Sequence, residues 1–462
     1  MGSEHDIRVR RHRQALATGA QAWQAGRAAD AAQAFAAAAR LLPRESQGHA
    51  NLGVALRRQG HAAAALAAYR RALALGADDA ALHSNLGNAL RDLGRLDEAE
   101  AALRRAVALA PEARSYAYNL ALVLRDRRRH GEALAMLEAL AAADPADGEA
   151  AWDLALTRLH LGDYRRGLEE YEARWRLVRN PVRPPPGPRW TGIEPLAGRT
   201  LLLIAEQGFG DAIQFARFVP QVAARGARVV LECLPDLAGL FAALPGVAQV
   251  VPQGAALGVA EGAQAPAYDL WASLLSLGHL LGCTWEGLPA APVPYLMPPQ
   301  PRPLRIGRRP DSRLAVGLVW AGKPTPRDRS WPLEALLPLL EDPLVEAYSL
   351  QMGSRAADLA ALGAGHLVTD LSPVLTSFAH TAAAMADLDL IVTVDSAPAH
   401  LAGALGRPVW VLLRYVSDWR WRDEGDTSPW YPTMRLFRQA DPDDFAGPVA
   451  AVKAALGAWP TA

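Results

Sequence analysis

Two hydrophobic patterns divide the chain. Over the first third, apolar and small residues recur at helical spacing. Near residue 200 the pattern changes to short unbroken apolar runs. In the first region Asn51-Leu52-Gly53 returns as Asn85-Leu86-Gly87, Asn119-Leu120-Ala121 and Asp153-Leu154-Ala155, one step every 34 residues. Small residues recur at Ala31, Ala65, Ala99, Ala133 and Gly167, and large ones at Phe35, Tyr69, Leu103, Leu137 and Tyr171. Turn glycines fall at Gly26, Gly60, Gly94 and Gly162, with Arg128 breaking the series, and prolines close units at Pro43, Pro111 and Pro145. A fixed period of this kind predicts stacked helix pairs, about five of them between residues 12 and 180. Small residues at Gly53 and Ala65 let paired helices approach closely, and Gly60 ends a helix.

After a proline-rich connector, Pro181 to Pro188, the runs read as buried strands alternating with helices. Thr200 to Ala205 and Arg228 to Glu232 are strands, with a glycine turn and a helix pattern, Ala212 to Ala224, between them. After Pro303 come strands at Ala315–Trp320, Tyr348–Gln351, Leu388–Val394 and Pro408–Leu413, with helices at Leu333–Leu340, Ala356–Leu362 and Ala397–Leu405. Two doubly wound halves follow from this alternation, with strand C-terminal ends facing a cleft. The expected organisation is an α-solenoid over 12–180, a linker over 181–198, α/β halves over 199–305 and 313–440, and a C-terminal helix over 441–462. That last helix is expected to pack back across the cleft.

Composition narrows the classes. The 462 residues carry 48 basic and 48 acidic side chains, which removes the simplest electrostatic case for a nucleic-acid binder. A hydrophobic content of 51% excludes global disorder. Two cysteines, Cys233 and Cys283, exclude a disulfide framework or a cysteine-rich metal site. No apolar run is long enough for a membrane span, and the charged Met1–Arg13 segment lacks a signal core, so a cytoplasmic protein is expected. Only Lys323 and Lys453 are lysines, which singles out Lys323 in its loop.

Several residues carry candidate chemistry. Asp395 or Ser396 can cap the helix that begins near Ala397, leaving backbone N–H groups aimed at an anion. His400 lies one turn inside that helix. Lys323, Arg327 and Arg329 occupy a loop after a strand, where cations would neutralise a bound anionic group. Asp211 follows Gly208 and Gly210 at a strand-to-helix turn, where a carboxylate serves as general base. Each has a plainer alternative. Asp211 can be a helix-start charge, His400 a core histidine, the arginines solvated charges, and Trp419, Trp421 and Trp430 packing rather than a sugar platform. Glu206 is the nearby carboxylate that competes with Asp211. A dinucleotide reading of Gly208-Phe209-Gly210 with Glu232 is weak, because Ile213 replaces the third glycine. Asp387 and Asp389 form an Asp-x-Asp, but they open a strand and are read as capping the preceding helix, so no metal or cofactor is expected.

The 34-residue pattern resembles the tetratricopeptide repeat family. The segments Glu206–Asp211 with Gln214–Phe218, Val316–Gly322 with Arg329–Pro332, and Val394–Pro408 with its Asp395-x4-His400 spacing resemble the heptosyltransferase-like glycosyltransferases. Trp430–Pro432 with Arg435–Arg438 is similar to the subgroup that carries such repeats in front. The resemblance implies a GT-B fold and a metal-independent, inverting transfer of a hexosyl- or heptosyl-type sugar. The donor would be a nucleotide-diphosphate sugar and the acceptor a hydroxyl on a protein or glycan. It implies Asp211 as base, with Gly208, Gly210 and Gln214 on the acceptor-side loop. Lys323, Arg327, Arg329, Gln351, Asp395, Ser396 and His400 would line the donor side. By likeness to repeat-bearing transferases that modify serine and threonine, Asn51, Asn85 and Asn119 would hold an acceptor peptide, although Asn-Leu-Gly is also ordinary repeat consensus. Two positions depart from the family: Met352 stands where lysine is usual, and Lys323 where asparagine is usual. Met352 favours a rival class, a repeat scaffold that keeps the fold without activity.

Overall fold

The computed structural model describes residues 4–180, 182–262, 264–288, 292–325 and 327–459. Pro181, at the head of the expected linker, and residues 460–462 of the expected C-terminal helix lie outside them. The chain divides into two units, Met1–Thr157 and Arg158–Ala462.

In the first unit the helices pair as the period predicts. Glu4–Gln24 pairs with Ala28–Leu41, Ser46–Arg58 with Ala62–Ala74, Ala80–Asp92 with Leu96–Leu109, and Arg114–Asp126 with His130–Ala143. The close approach is visible at Gly53, where an added Cβ would lie 2.4 Å from the Tyr69 ring. Gly87 has the same relation to Leu103, at 2.6 Å. The turn residues Gly26, Gly60 and Gly94 take φ of +74°, +82° and +72°, as helix-ending glycines do. Arg128 adopts the same left-handed backbone, φ +61°, so the turn survives the substitution that broke the sequence pattern.

The boundary falls at Thr157/Arg158, earlier than the proline-rich segment expected to form it. The reason lies in the side chains that follow. Tyr164 is 1% exposed, and its hydroxyl accepts from Trp430 Nε1 at 3.1 Å. Arg174, also 1% exposed, binds Glu206 through Nε at 2.9 Å and Nη2 at 2.7 Å. The Tyr164–Glu170 helix and the Tyr171–Arg176 turn are therefore built into the α/β unit. The extended connector then runs along a sheet edge: Trp190 N donates to Trp271 O at 2.8 Å, and Trp271 N to Pro188 O at 3.1 Å.

The α/β unit holds two sheets. The first has β1 (Thr200–Ile204), β2 (Arg228–Cys233), β3 (Val247–Pro252) and β4 (Leu270–Ser273) in the parallel order β3-β2-β1-β4. The second has β5 (Leu314–Val319), β6 (Val345–Ser349), β7 (Val368–Asp370), β8 (Leu390–Val394), β9 (Val409–Leu413), β10 (Thr427–Ser428) and β11 (Tyr431–Arg438). Its order is β10-β11-β9-β8-β5-β6-β7, parallel except for β10 against β11. Every residue of β5, β8 and β9 is buried, as strands covered on both faces require. Each fully buried Leu or Val contributes about 1.5–3 kcal/mol relative to exposure.

Strand order reverses between β5 and β8 in the second sheet, and between β1 and β4 in the first. Such switch points open crevices at strand C-terminal ends. The C-terminal helix, Ala446–Gly457, does not cross the cleft as expected. Its Val449, Val452 and Leu456 join the core of the second half with Trp331, Trp410 and Phe437. The apolar positions of one short helix are satisfied by the sheet beside it.

Candidate active site

The turn after β1 and the turn after β8 start the two helices that meet. Gly210 lies in the first turn of the Phe209–Phe215 helix, and a Cβ there would be 2.9 Å from His400 Cδ2 and 3.5 Å from Ala397 Cα. A glycine is needed because the start of the Ala397–Ala404 helix occupies that space. Gly208 is the N-cap of the first helix. Asp211 caps that helix from within, its Oδ2 accepting from Gly208 N at 3.1 Å.

The other Asp211 oxygen accepts from Arg420 Nη2 at 2.6 Å. Arg420 is the centre of the site, and the sequence reading did not find it. It is 6% exposed, binds Asp418 through Nη1 at 2.9 Å, donates through Nε to Gln214 Oε1, and lies 4.3 Å over the Trp419 ring. Burial opposes its charge, but Asp418 and Asp211 outweigh burial and hold it cationic. Burial also raises Asp418, yet Arg420, its backbone N–H and Arg329 pull it below the ordinary carboxylate range. The only signal in the chain was Asp418-Trp419-Arg420-Trp421, charges interleaved with large apolar rings.

Neither Asp395 nor Ser396 caps the Ala397–Ala404 helix in the way the sequence suggested. Ser396 occupies the N-cap, but its hydroxyl donates to Val394 O at 3.1 Å and lies 3.1 Å from Thr393 Oγ1. Asp395 turns to Arg329, accepting from Nη1 at 3.0 Å. Burial pushes the Asp395 carboxyl upward, opposed by Arg329 and reinforced by the like charge of Asp418. The helix start therefore has no side-chain cap.

His400 is 5% exposed, and its ring stacks on Trp421 at 5.2 Å. Burial, then the Arg420 charge, push its pKa down to about 3, so the imidazole is neutral. A hydroxyl chain reaches its Nδ1. Tyr295 donates to Ile213 O at 3.0 Å, and the Tyr431 hydroxyl lies 3.0 Å from His400 Nδ1. With Tyr431 as donor in that bond, the imidazole proton sits on Nε2, beside Gly210.

The remaining predicted residues divide. Arg329 joins the cluster, while Lys323 is exposed and Arg327 half-buried in the same loop after β5. Gln351 serves the backbone instead of facing the cleft. Its Oε1 accepts from Trp320 N at 3.1 Å and Ala321 N at 2.8 Å, and its Nε2 donates to Met352 O at 2.9 Å. It shapes the cationic loop, while Met352 is exposed. Glu206 is removed as a competing base, since Arg174 and Ser273 hold its Oε1 in a site 1% exposed. Glu232 accepts from Gly254 N and Ala256 N, both at 2.9 Å, which ends the dinucleotide reading. Asp387 and Asp389 do not cap a helix. They bind Ile306 N, Arg302, Ala315 N and Arg308, and so fasten the segment joining the halves. Trp419, Trp421 and Trp430 are buried, as the packing reading requires.

On the solenoid, Asn51, Asn85 and Asn119 are half-buried on the first helices of successive pairs. Asn119 Nδ2 donates to Ser84 Oγ at 3.1 Å. Asp153 does not extend this ladder, because Tyr118 and Arg125 bind its carboxylate.

Among the described residues no helix is long and apolar enough to cross a membrane. Residues 16–80, 84–135 and 118–181 match the tetratricopeptide repeat family, and residues 353–443 match glycosyltransferase family 9 (heptosyltransferase). The second match contains Asp395, Ser396, His400 and Arg420, whereas Asp211 and the Lys323–Arg329 loop precede it. The chain is 29% identical over 304 residues to protein FlbA of Caulobacter vibrioides, covering 60% of this chain and 50% of FlbA. It thus spans about half the length of that curated relative. Among solved structures, Pseudomonas aeruginosa pilF is 23% identical over 36% of this chain and 76% of its own, with a TM-score of 0.32. MamA is 21% identical over 34% of this chain and 91% of its own, with a TM-score of 0.31. The chain combines tetratricopeptide repeats over residues 16–181 with a glycosyltransferase family 9 domain over residues 353–443.

Proposed function

We propose that the protein transfers a sugar from a nucleotide-diphosphate donor to an acceptor hydroxyl, with inversion and without a metal. One observation carries this reading. The helix start bearing Asp211 and the helix start bearing His400 abut, and two guanidiniums, Arg329 and Arg420, stand among three carboxylates there. The open Ala397 helix start and the His400 Nε2 proton meet the donor diphosphate, with Arg329 and Lys323 balancing its charge. Asp211 takes the acceptor proton as the new bond forms on the face opposite the departing diphosphate. A carboxylate has about four lone-pair sites, so capping Gly208 and binding Arg420 leave acceptor capacity. The solenoid holds a protein acceptor, with Asn51 and Asn85 offering amides to its backbone.

A scaffold without turnover is the second reading, and the hydrogen bond already on each Asp211 oxygen favours it. Release of nucleoside diphosphate from a panel of nucleotide sugars separates the two. The transferase reading expects release with at least one sugar, abolished in Asp211→Asn. Absence of release from every sugar, with donor bound, would support the scaffold.

A further inference from the structure

Arg217 is 2% exposed, yet among the described residues no carboxylate pairs with it. The other buried guanidiniums of this unit are neutralised: Arg174 by Glu206 and Glu172, Arg420 by Asp211 and Asp418. Arg217 has one hydrogen bond, Nη1 to Trp430 O at 2.9 Å, and lies over the rings of Trp430, Tyr295 and Tyr431 at 5.4, 5.6 and 5.9 Å. Its Nε has no partner. A buried cation that keeps a donor unpaired needs an explanation.

Arg217 lines a cavity of about 340 Å³, within the range of small-molecule sites. Trp285 and Trp421 supply apolar walls, and Arg422, Glu424 and Ser428 stand around it. The far face belongs to the site already described, since Trp421 stacks on His400. Arg422 holds a left-handed backbone, φ +56°, that few non-glycine residues adopt. Its carbonyl is fixed by Ser417 Oγ at 2.5 Å and Arg438 Nη1 at 2.8 Å, and its guanidinium lies 4.9 Å over Trp285. The wall is held in a strained shape by several contacts, as at built ligand sites.

We propose that this cavity binds a small monocarboxylate, with Arg217 as its anchor. With Nη1 spent on Trp430 and Nε shielded from solvent, Nη2 is the donor left to meet a carboxylate oxygen, in a bond strengthened by the guanidinium charge. Glu424 at the wall disfavours a dianion such as phosphate. The proposal does not depend on sugar transfer, because the probe carries neither sugar nor nucleotide.

The test is calorimetric titration of the full-length protein with benzoate, benzamide and inorganic phosphate. Benzoate is expected to saturate in the millimolar range or below, with benzamide and phosphate at least about tenfold weaker. Arg217→Gln should weaken benzoate by about tenfold or more. Should that variant not fold, Glu424→Gln, on the exposed wall, replaces it and should tighten benzoate about threefold. Four results would overturn the proposal: no saturable benzoate binding, benzamide or phosphate equal to benzoate, unchanged affinity in folded Arg217→Gln, or unchanged affinity in Glu424→Gln.

Discussion

Replacing Asp211 by asparagine and Glu206 by glutamine separates two carboxylates that stand five residues apart and do different work. Asp211→Asn keeps the shape but removes the proton acceptor. Loss of a general base costs about 100- to 10,000-fold in turnover, equivalent to about 2.7–5.5 kcal/mol of barrier. Stability falls too. The Oδ1 contact to Arg420 at 2.6 Å is a charge-assisted bond, and the asparagine amide cannot accept from Gly208 N while its oxygen faces Arg420. Losing the cap and weakening the ion pair should cost about 1–3 kcal/mol. Arg420 remains neutralised by Asp418, so the fold survives. Glu206→Gln behaves in the opposite way. It leaves the Arg174 guanidinium, 1% exposed, with Glu172 as its remaining carboxylate, and trading the second charge-assisted contact for a neutral amide costs about 1–3 kcal/mol. Its turnover per folded molecule should stay within about threefold of the parent. The assay pairs nucleoside diphosphate release with a denaturant titration of each variant. If folded Glu206→Gln loses turnover by a hundredfold while Asp211→Asn keeps most of it, Asp211 is a helix-start charge and Glu206 the base.

Other expectations follow from the same contacts. His400 is held near pKa 3 when folded and returns to about 6.5 when unfolded, so the unfolded chain binds the extra proton as pH falls. Stability should decline between pH 6.5 and 3, by at most about 1.4 kcal/mol per pH unit from this group. A His400→Gln variant with an unchanged slope would refute that assignment. Gly60→Ala places a Cβ in open space at φ +82°, so its cost, about 1 kcal/mol, is purely conformational. A denaturant midpoint equal to the parent's would contradict the left-handed turn. A fragment of residues 158–462 should keep donor affinity within about threefold, because the donor contacts proposed lie within it. A fragment starting at residue 190 lacks Arg174 and should lose about 3–5 kcal/mol of stability. A tenfold donor loss in a folded 158–462 fragment would show that the solenoid shapes the donor site.

What could be read from the chain was whatever repeats or stays local. The 34-residue period fixes which residues must be small, so the close helix approach at Gly53 was legible in the sequence, while the Tyr69 ring that meets it was not. Strands buried on both faces are apolar throughout, so β1, β5 and β9 were legible as runs. The switch points followed from strand alternation, and with them the place of Asp211, Asp395 and His400. Ion-pair partners were not legible. Arg420 lies 209 residues from Asp211, and no periodicity links them. Arg174 sat in a segment read as the end of the repeats, because its partner Glu206 lies 32 residues on, just after β1. Ser396 stands at the expected N-cap, but a polar residue there can bond backward, as it does to Val394, and leave the helix start open. Gln351 shows the same limit: strand ends carry polar side chains both to meet ligands and to hold loops, and residue type does not distinguish the uses.

The proposed function places a nucleotide-diphosphate sugar at the β5–β8 switch point, held by the open Ala397 helix start, Arg329 and His400. Equilibrium binding of a nucleotide-sugar panel, followed as stabilisation against unfolding, tests this most directly. A donor present at 100 times its dissociation constant adds about 2.7 kcal/mol. The prediction is that at least one nucleotide sugar stabilises the parent by that order, and that His400→Ala weakens its affinity by about 1–3 kcal/mol without matching loss of fold. If no nucleotide sugar stabilises the protein, or if folded His400→Ala binds donor as the parent does, the donor site does not lie at the Ala397 helix start.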